Sequence, residues 1–243
     1  MKKQSKQKFA AVPLALVMAG GAALTYSPKV SAAGVSVTGT VKLDGTAPHQ
    51  KGIDMSKEPS CAAIHKDKPV TMENVVAGSS GGLANVVVYI SQGLSGNEVS
   101  SAPAEFDQKG CQYIPHVLAI NPGQHMKIVN SDQTSHNIHP QPTKNNEWNK
   151  SQPPGSPPFD VAWANEEIAI PVKCNIHPWM HGYFAVVKGP YGVSDDNGSF
   201  TMPNVPPGSY TLTAWQETYG TQTQQVTVAA GKPATVTFTF KAK

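Results

Sequence analysis

Three donor types that bind soft metal ions recur at a spacing of three residues: Cys174, His177 and Met180, in the run C-N-I-H-P-W-M. A single turn can gather a thiolate, an imidazole and a thioether spaced in this way around one point. A second imidazole, His136 in S-H-N-I-H-P, stands 38 positions before Cys174. Two His and one Cys in a plane, with Met as a long axial contact, suit a mononuclear copper ion that passes one electron. Thiolate stabilises Cu(I), imidazole serves both oxidation states, and one geometry common to both keeps the reorganisation small. These residues therefore predict one copper per chain and no catalytic residues, so the chain is not expected to be an enzyme.

The other histidines weigh less. His139 is three residues beyond His136, and on a strand that spacing places it on the opposite face, so it is expected at the surface or beside the ligands. His181 follows the axial Met and is expected to point to solvent. His49, His65, His116 and His125 have no recognisable partner in the sequence. Structural zinc prefers more thiolates and seldom uses Met. A dinuclear copper centre needs a second Cys beside Cys174, and no C-x-x-C-H haem motif occurs.

Strands must position these donors. Many Gly, Pro, Thr and Val with few charges favour short strands over helices. Alternation predicts a half-buried strand at Val35–Leu43, and the β-branched run at Leu83–Ile90 predicts a core strand. Strands are also expected at Tyr113–Asn121 and Gln124–Asn130, split by Pro122-Gly123, and at Ile168–Lys173 and Tyr183–Val187 on either side of the Cys loop. Tyr210–Trp215, Thr223–Val228 and Ala234–Phe240 complete the set. Residues 46–82 (with one short strand near Val75-Val76), 91–109 and the proline-rich 140–160 read as loops.

Residues 1–33 read as a signal peptide: four early lysines, an apolar stretch from Phe9 to Leu24, and Val30-Ser31-Ala32-Ala33 as a cleavage site. Five of the 19 basic residues lie there, which leaves 14 against 16 acids. The remaining chain is near neutral and has no basic stripe for nucleic acid, nor a second apolar run long enough for a transmembrane segment. Export to the periplasm or the extracellular space permits disulfides. With three cysteines one is left over. If Cys174 is a metal thiolate, Cys61 and Cys111 remain to pair, closing a loop worth about 4 kcal/mol in the chain-entropy model; the competing pairing uses Cys174 and abolishes the metal site.

The loop C-N-I-H-P-W-M and the upstream G-Q-H-M-K-I-V-N-S-D-Q-T-S-H-N-I resemble the ligand segments of the cupredoxins, most closely the amicyanin-like members, over roughly residues 84–188. The resemblance implies a Greek-key β-sandwich, copper held by His136, Cys174, His177 and Met180, and a redox protein such as a c-type cytochrome or a dehydrogenase as partner. It also implies that the Asn137 backbone N–H donates to the Cys174 sulfur while its side chain ties the two ligand loops together. Amicyanin-like loops have proline two residues after the Cys, whereas this chain has Ile176, whose N–H can give the sulfur a second hydrogen bond and raise the reduction potential. Pro178 and Trp179 are expected to form an apolar rim beside His177.

Residues 190–243, with D-N-G-S-F-T-M-P-N-V-P-P-G-S-Y-T-L-T-A-W, resemble the carboxypeptidase regulatory-like, transthyretin-like β modules. The opening V-S-V-T-G-T-V-K-L-D-G-T-A-P is similar to a first strand of that family, so the two ends can pair with a cupredoxin domain inserted between them. The expected architecture is all-β: a copper domain over 34–189 and a small antiparallel sandwich over 190–243. The leading function is an exported blue copper electron carrier. The alternatives are a copper-binding or delivery protein without a redox partner, and an adhesion or binding module whose metal is structural.

Overall fold

The computed structural model describes residues 34–96 and 102–243; the signal peptide expected over 1–33 lies outside them. Sixteen strands and one short helix follow in chain order among the described residues. β1 is Val35–Asp44, α1 Pro59–Ile64, β2 Val87–Gln92, β3 Ala104–Lys109, β4 Gln112–Ile114, β5 Val117–Ile120, β6 Met126–Asn130, β7 His136–Pro140 and β8 Lys150–Gln152. β9 is Phe159–Val161, β10 Glu167–Lys173, β11 His181–Val186, β12 Tyr191–Val193, β13 Ser199–Val205, β14 Gly208–Gln216, β15 Gly220–Val228 and β16 Ala234–Lys241. The chain is all-β, as its composition predicts.

The strands form four sheets. β1 runs between β13, antiparallel, and β16, parallel. The second sheet has the order β12-β2-β14-β15, and its inner face packs on the first through Val41, Phe200, Met202, Phe238, Val88 and Leu212. The third sheet, β5-β11-β10-β7-β8, and the fourth, β4-β3-β6-β9, enclose a separate core of Phe106, Tyr113, Met126, Ile128, Ile170 and Phe184. A smaller cluster of Val87, Val117, Ala119, Ala185, Val187 and Trp215 joins the second sheet to the third.

β1 and β16 thus pair across almost the whole chain length, with Val37 opposite Ala234 and Asp44 opposite Lys241. β2 differs from expectation. It belongs to the sheet of β14 and β12 and not to the sheets that carry the ligands. Its run of apolar residues is buried on both faces: Val88 and Ile90 enter one core, Val87 the joining cluster. Such two-sided burial removes the alternation that would say which neighbours cover the strand.

Other corrections are local. Residues 104–109, expected as loop, form β3, pairing in parallel with β6. Its sequence A-E-F-D-Q-K sends Phe106 and Gln108 inward, and Gln108 is buried only because it donates to Gln152 Oε1 at 2.7 Å and to the Val129 carbonyl at 2.9 Å. The expected strand at Tyr113–Asn121 is two, broken at Pro115-His116. The expected loop 140–160 contains β8 and the start of β9, and residues 46–82 contain α1, where Cys61 is the buried residue.

Candidate metal centre

β7, between β10 and β8, delivers His136, while Cys174 follows β10 directly and His177 and Met180 lie in the turn to β11. The turn is closed by two main-chain hydrogen bonds: Cys174 N–H donates to the Met180 carbonyl at 3.0 Å, and Met180 N–H to the His177 carbonyl at 3.0 Å. His136, Cys174 and His177 are buried, and their donor atoms lie within 4.8 Å of one another. His136 Nδ1 is 3.0 Å from His177 Nδ1, and Cys174 Sγ is 3.7 Å from the same nitrogen. Met180 is 1 % exposed and packs in the same core.

The surroundings prepare these atoms. Asp132 Oδ2 lies 2.8 Å from His136 Nε2. A carboxylate can only accept, so the proton of a neutral His136 sits on Nε2 and the lone pair on Nδ1 faces His177. Asp132 is itself held by the N–H groups of Gly110 and Cys111, each at 2.7 Å. Burial raises its pKa, but the His136 contact and these two N–H donors outweigh that and hold the carboxyl below its ordinary range. Burial also opposes charge on His136, yet Asp132 and the Cys174 sulfur raise its pKa on balance. For Cys174, burial pushes the thiol up, while hydrogen bonds from His136 and from the backbone N–H groups of His177, Ile176 and Asn137 bring it down overall. His177 is lowered by burial and by the neighbouring His136.

Asn137 ties the segments together: its Oδ1 accepts from Asn175 N–H at 2.9 Å, and its Nδ2 donates to Asn149 Oδ1 and to the Lys150 carbonyl. His139 is part-exposed and bonds Glu147 at 2.6 Å. The donor set fits a copper ion, since one sulfur and two imidazole nitrogens converge in a buried site.

Cys61 and Cys111 form a disulfide, and Cys174 is free. The bridge lies over the outer edge of His177, with Cys61 Sγ 3.9 Å and Glu58 Oε2 4.0 Å from Nε2. Trp179 stacks near His177, centroids 5.2 Å apart, and its Nε1 donates to the Cys111 carbonyl at 3.0 Å. His177 is therefore 1 % exposed, and the surface-facing apolar residues of the loop are Ile176, 44 % exposed, and Pro178.

Sequence reading missed Asp132, although an acid four residues before His136 in a turn is a signal for a histidine-orienting group. It also missed the environment of two other histidines. His116 is buried, with Nε2 2.9 Å from Glu217 Oε1, and His181 faces inward, its ring centroid 5.1 Å from that of His116.

Residues 188–241 match the family model of the carboxypeptidase regulatory-like domain. No curated protein matches the chain. Among solved structures, the chain is similar to a Cu-containing nitrite reductase from Thermus scotoductus, at 17 % identity over 40 % of this chain and 25 % of that one, TM-score 0.33. It is also similar to a purple cupredoxin from Nitrosopumilus maritimus (21 % identity, 34 % of this chain and 98 % of that one, TM-score 0.29). A reduced Cu(I) amicyanin variant aligns at 18 % identity over 41 % of this chain and 97 % of that one, TM-score 0.31.

Proposed function

We propose that this chain is an exported blue copper protein that carries one electron between redox partners. The observation that carries the reading is the convergence of the His136, Cys174 and His177 donors within 4.8 Å of one another in a buried site. Copper held by these three residues together with Met180 would supply a one-electron couple. The protein's contribution is rigidity. Asp132 fixes the His136 ring, Asn137 fixes the Cys174 loop, and the Cys61–Cys111 bridge keeps water from His177. The three backbone N–H groups aimed at Cys174 stabilise a thiolate and temper its electron donation. Exposed Ile176 and Pro178 would offer a docking surface beside the ligand loop to a cytochrome- or dehydrogenase-type partner.

One observation favours a second reading, copper holding without electron exchange: the outer edge of His177 is covered by α1 and the disulfide. Stopped-flow mixing of the Cu(II) protein with a reduced c-type cytochrome separates the two. Bimolecular reduction that slows when Ile176 is changed to Asp supports the carrier; copper that takes no electron from any protein donor, although ascorbate reduces it, supports holding.

A further inference from the structure

A second group of donors gathers where the two sandwiches meet. His116 sits between β4 and β5, His181 opens β11, and Glu217 lies in the hairpin between β14 and β15. Their ligand atoms all fall within 4.8 Å of one another. Glu73, from the segment before β2, adds a carboxylate 3.9 Å from His116 Nδ1. Gly182 lets β11 lie close here, since a Cβ at that position would stand 2.7 Å from the His116 carbonyl oxygen.

The hydrogen bonds around His181 suit a cation, and an ion bound between His116 Nε2 and Glu217 would displace the proton that they share. His181 Nδ1 lies 3.1 Å from the Trp179 carbonyl, which can only accept, so the proton of a neutral ring is on Nδ1. Its Nε2 lone pair is left for another partner, and receives only a long 3.4 Å contact from the Asn74 amide. A backbone carbonyl behind a histidine is the arrangement that orients metal ligands. Glu217 and His116 side chains are each 3 % exposed. Glu217 Oε1 takes His116 at 2.9 Å, while Oε2 is buried without a well-formed hydrogen bond. Tyr183 is its neighbour, and burial together with the Glu217 carboxylate pushes the phenol up to about 12. Among the described residues neither Glu73 nor Glu217 pairs with a lysine, so Glu217 meets only imidazole and the neutral Tyr183 hydroxyl. A buried carboxylate without a full partner is costly, and a divalent cation is the compact group that would satisfy Glu217 together with one nitrogen of each imidazole.

We propose that His116, His181 and Glu217 form a second metal site for a zinc-class divalent cation. Two imidazoles and carboxylate oxygens without sulfur are the donor set such an ion takes. The site is colourless by its chemistry and differs from the Cys174 centre in softness. Its ligands come from both sandwiches, so an ion there would pin the hairpin bearing Glu217 to the strand that begins one residue after Met180.

The test is a metal count on the full chain, stripped of metal and then equilibrated with Zn(II) against a chromophoric chelator. The native chain should retain one more equivalent than the His181→Ala/Glu217→Gln double variant. Because the readout is a difference, it holds whatever occupies the Cys174 centre. Equal counts in the two proteins would overturn the site. Should the double variant not fold, Co(II) added to the native chain decides the matter by NMR: paramagnetically shifted ring protons of His116 and His181 support the site, and shifts confined to His136 and His177 contradict it.

Discussion

Two histidine pairs, whose nearest members His177 and His181 lie four residues apart in sequence, differ in nearly everything else. The pair His136 and His177 is joined by a thiolate and enclosed by one sandwich, where every donor is buried. The pair His116 and His181 is joined by carboxylates contributed by the other sandwich and by the segment before β2, and is partly open. Met180 belongs to the first group and His181 to the second. The contrast teaches that one donor group draws most of its members from a single loop within its own core, whereas the other is assembled at a seam from residues far apart in the chain.

The first group is insulated, and removing its insulation should have the largest effect. Replacing Cys61 and Cys111 with alanine should cost about 4 kcal/mol of stability, the chain-entropy value for a loop of this length. Urea unfolding would measure it, and the same variant should make the His177 ring accessible to solvent exchange. A change confined to stability would mean that α1 covers His177 unaided.

Next in size is Asp132→Asn. The amide cannot take its place as a charged acceptor for His136 Nε2, and a group of this kind typically accounts for about 10–100-fold in metal affinity. Copper competition titration would show it. The contrast with the seam sharpens if Zn(II) retention by the His116 group is unchanged.

Glu167 gives a similar-sized effect on the fold without touching either pair. It accepts from the N–H groups of Thr143, Lys144 and Asn145, and although burial raises its pKa, these bonds hold it below the ordinary value. A depressed carboxyl contributes stability that is complete above its unfolded pKa, about 4.3, and is lost as pH falls through the folded value. Glu167→Gln should cost about 1–3 kcal/mol at neutral pH and flatten the decline of stability as pH falls below about 4.3. Thermal melts across that range would check both.

The smallest effect is on potential. Ile176→Pro removes one of the backbone N–H groups aimed at Cys174. A net hydrogen bond of about 0.5–1.5 kcal/mol corresponds to a fall of roughly 20–60 mV for a one-electron couple. Redox titration would read it, and an unchanged potential would mean that the remaining donors from His177 and Asn137 set the sulfur's electronics alone.

What was legible in the sequence follows the same contrast. Cys174, His177 and Met180 declare themselves because their spacing is local, and Val236, Phe238 and Phe240 declare β16 because one face is buried and the other wet. The seam was illegible. His116, His181, Glu73 and Glu217 share no spacing, and only the packing of β14 and β2 against β5 and β11 brings them together. β3 was hidden for a different reason: its inward Gln108 donates its amide to Gln152 and the Val129 carbonyl, so a buried position carries a polar residue. β2 was visible as a strand but not as a member of its sheet, because a strand covered on both faces carries no directional pattern.

The most direct test of the copper centre is the visible spectrum of the protein after one equivalent of Cu(II). An intense blue or green band, bleached by ascorbate and absent in Cys174→Ser while the Cys61–Cys111 bridge persists, is the predicted result. A native protein that binds Cu(II) and stays colourless, or whose spectrum is the same with serine at 174, would contradict it.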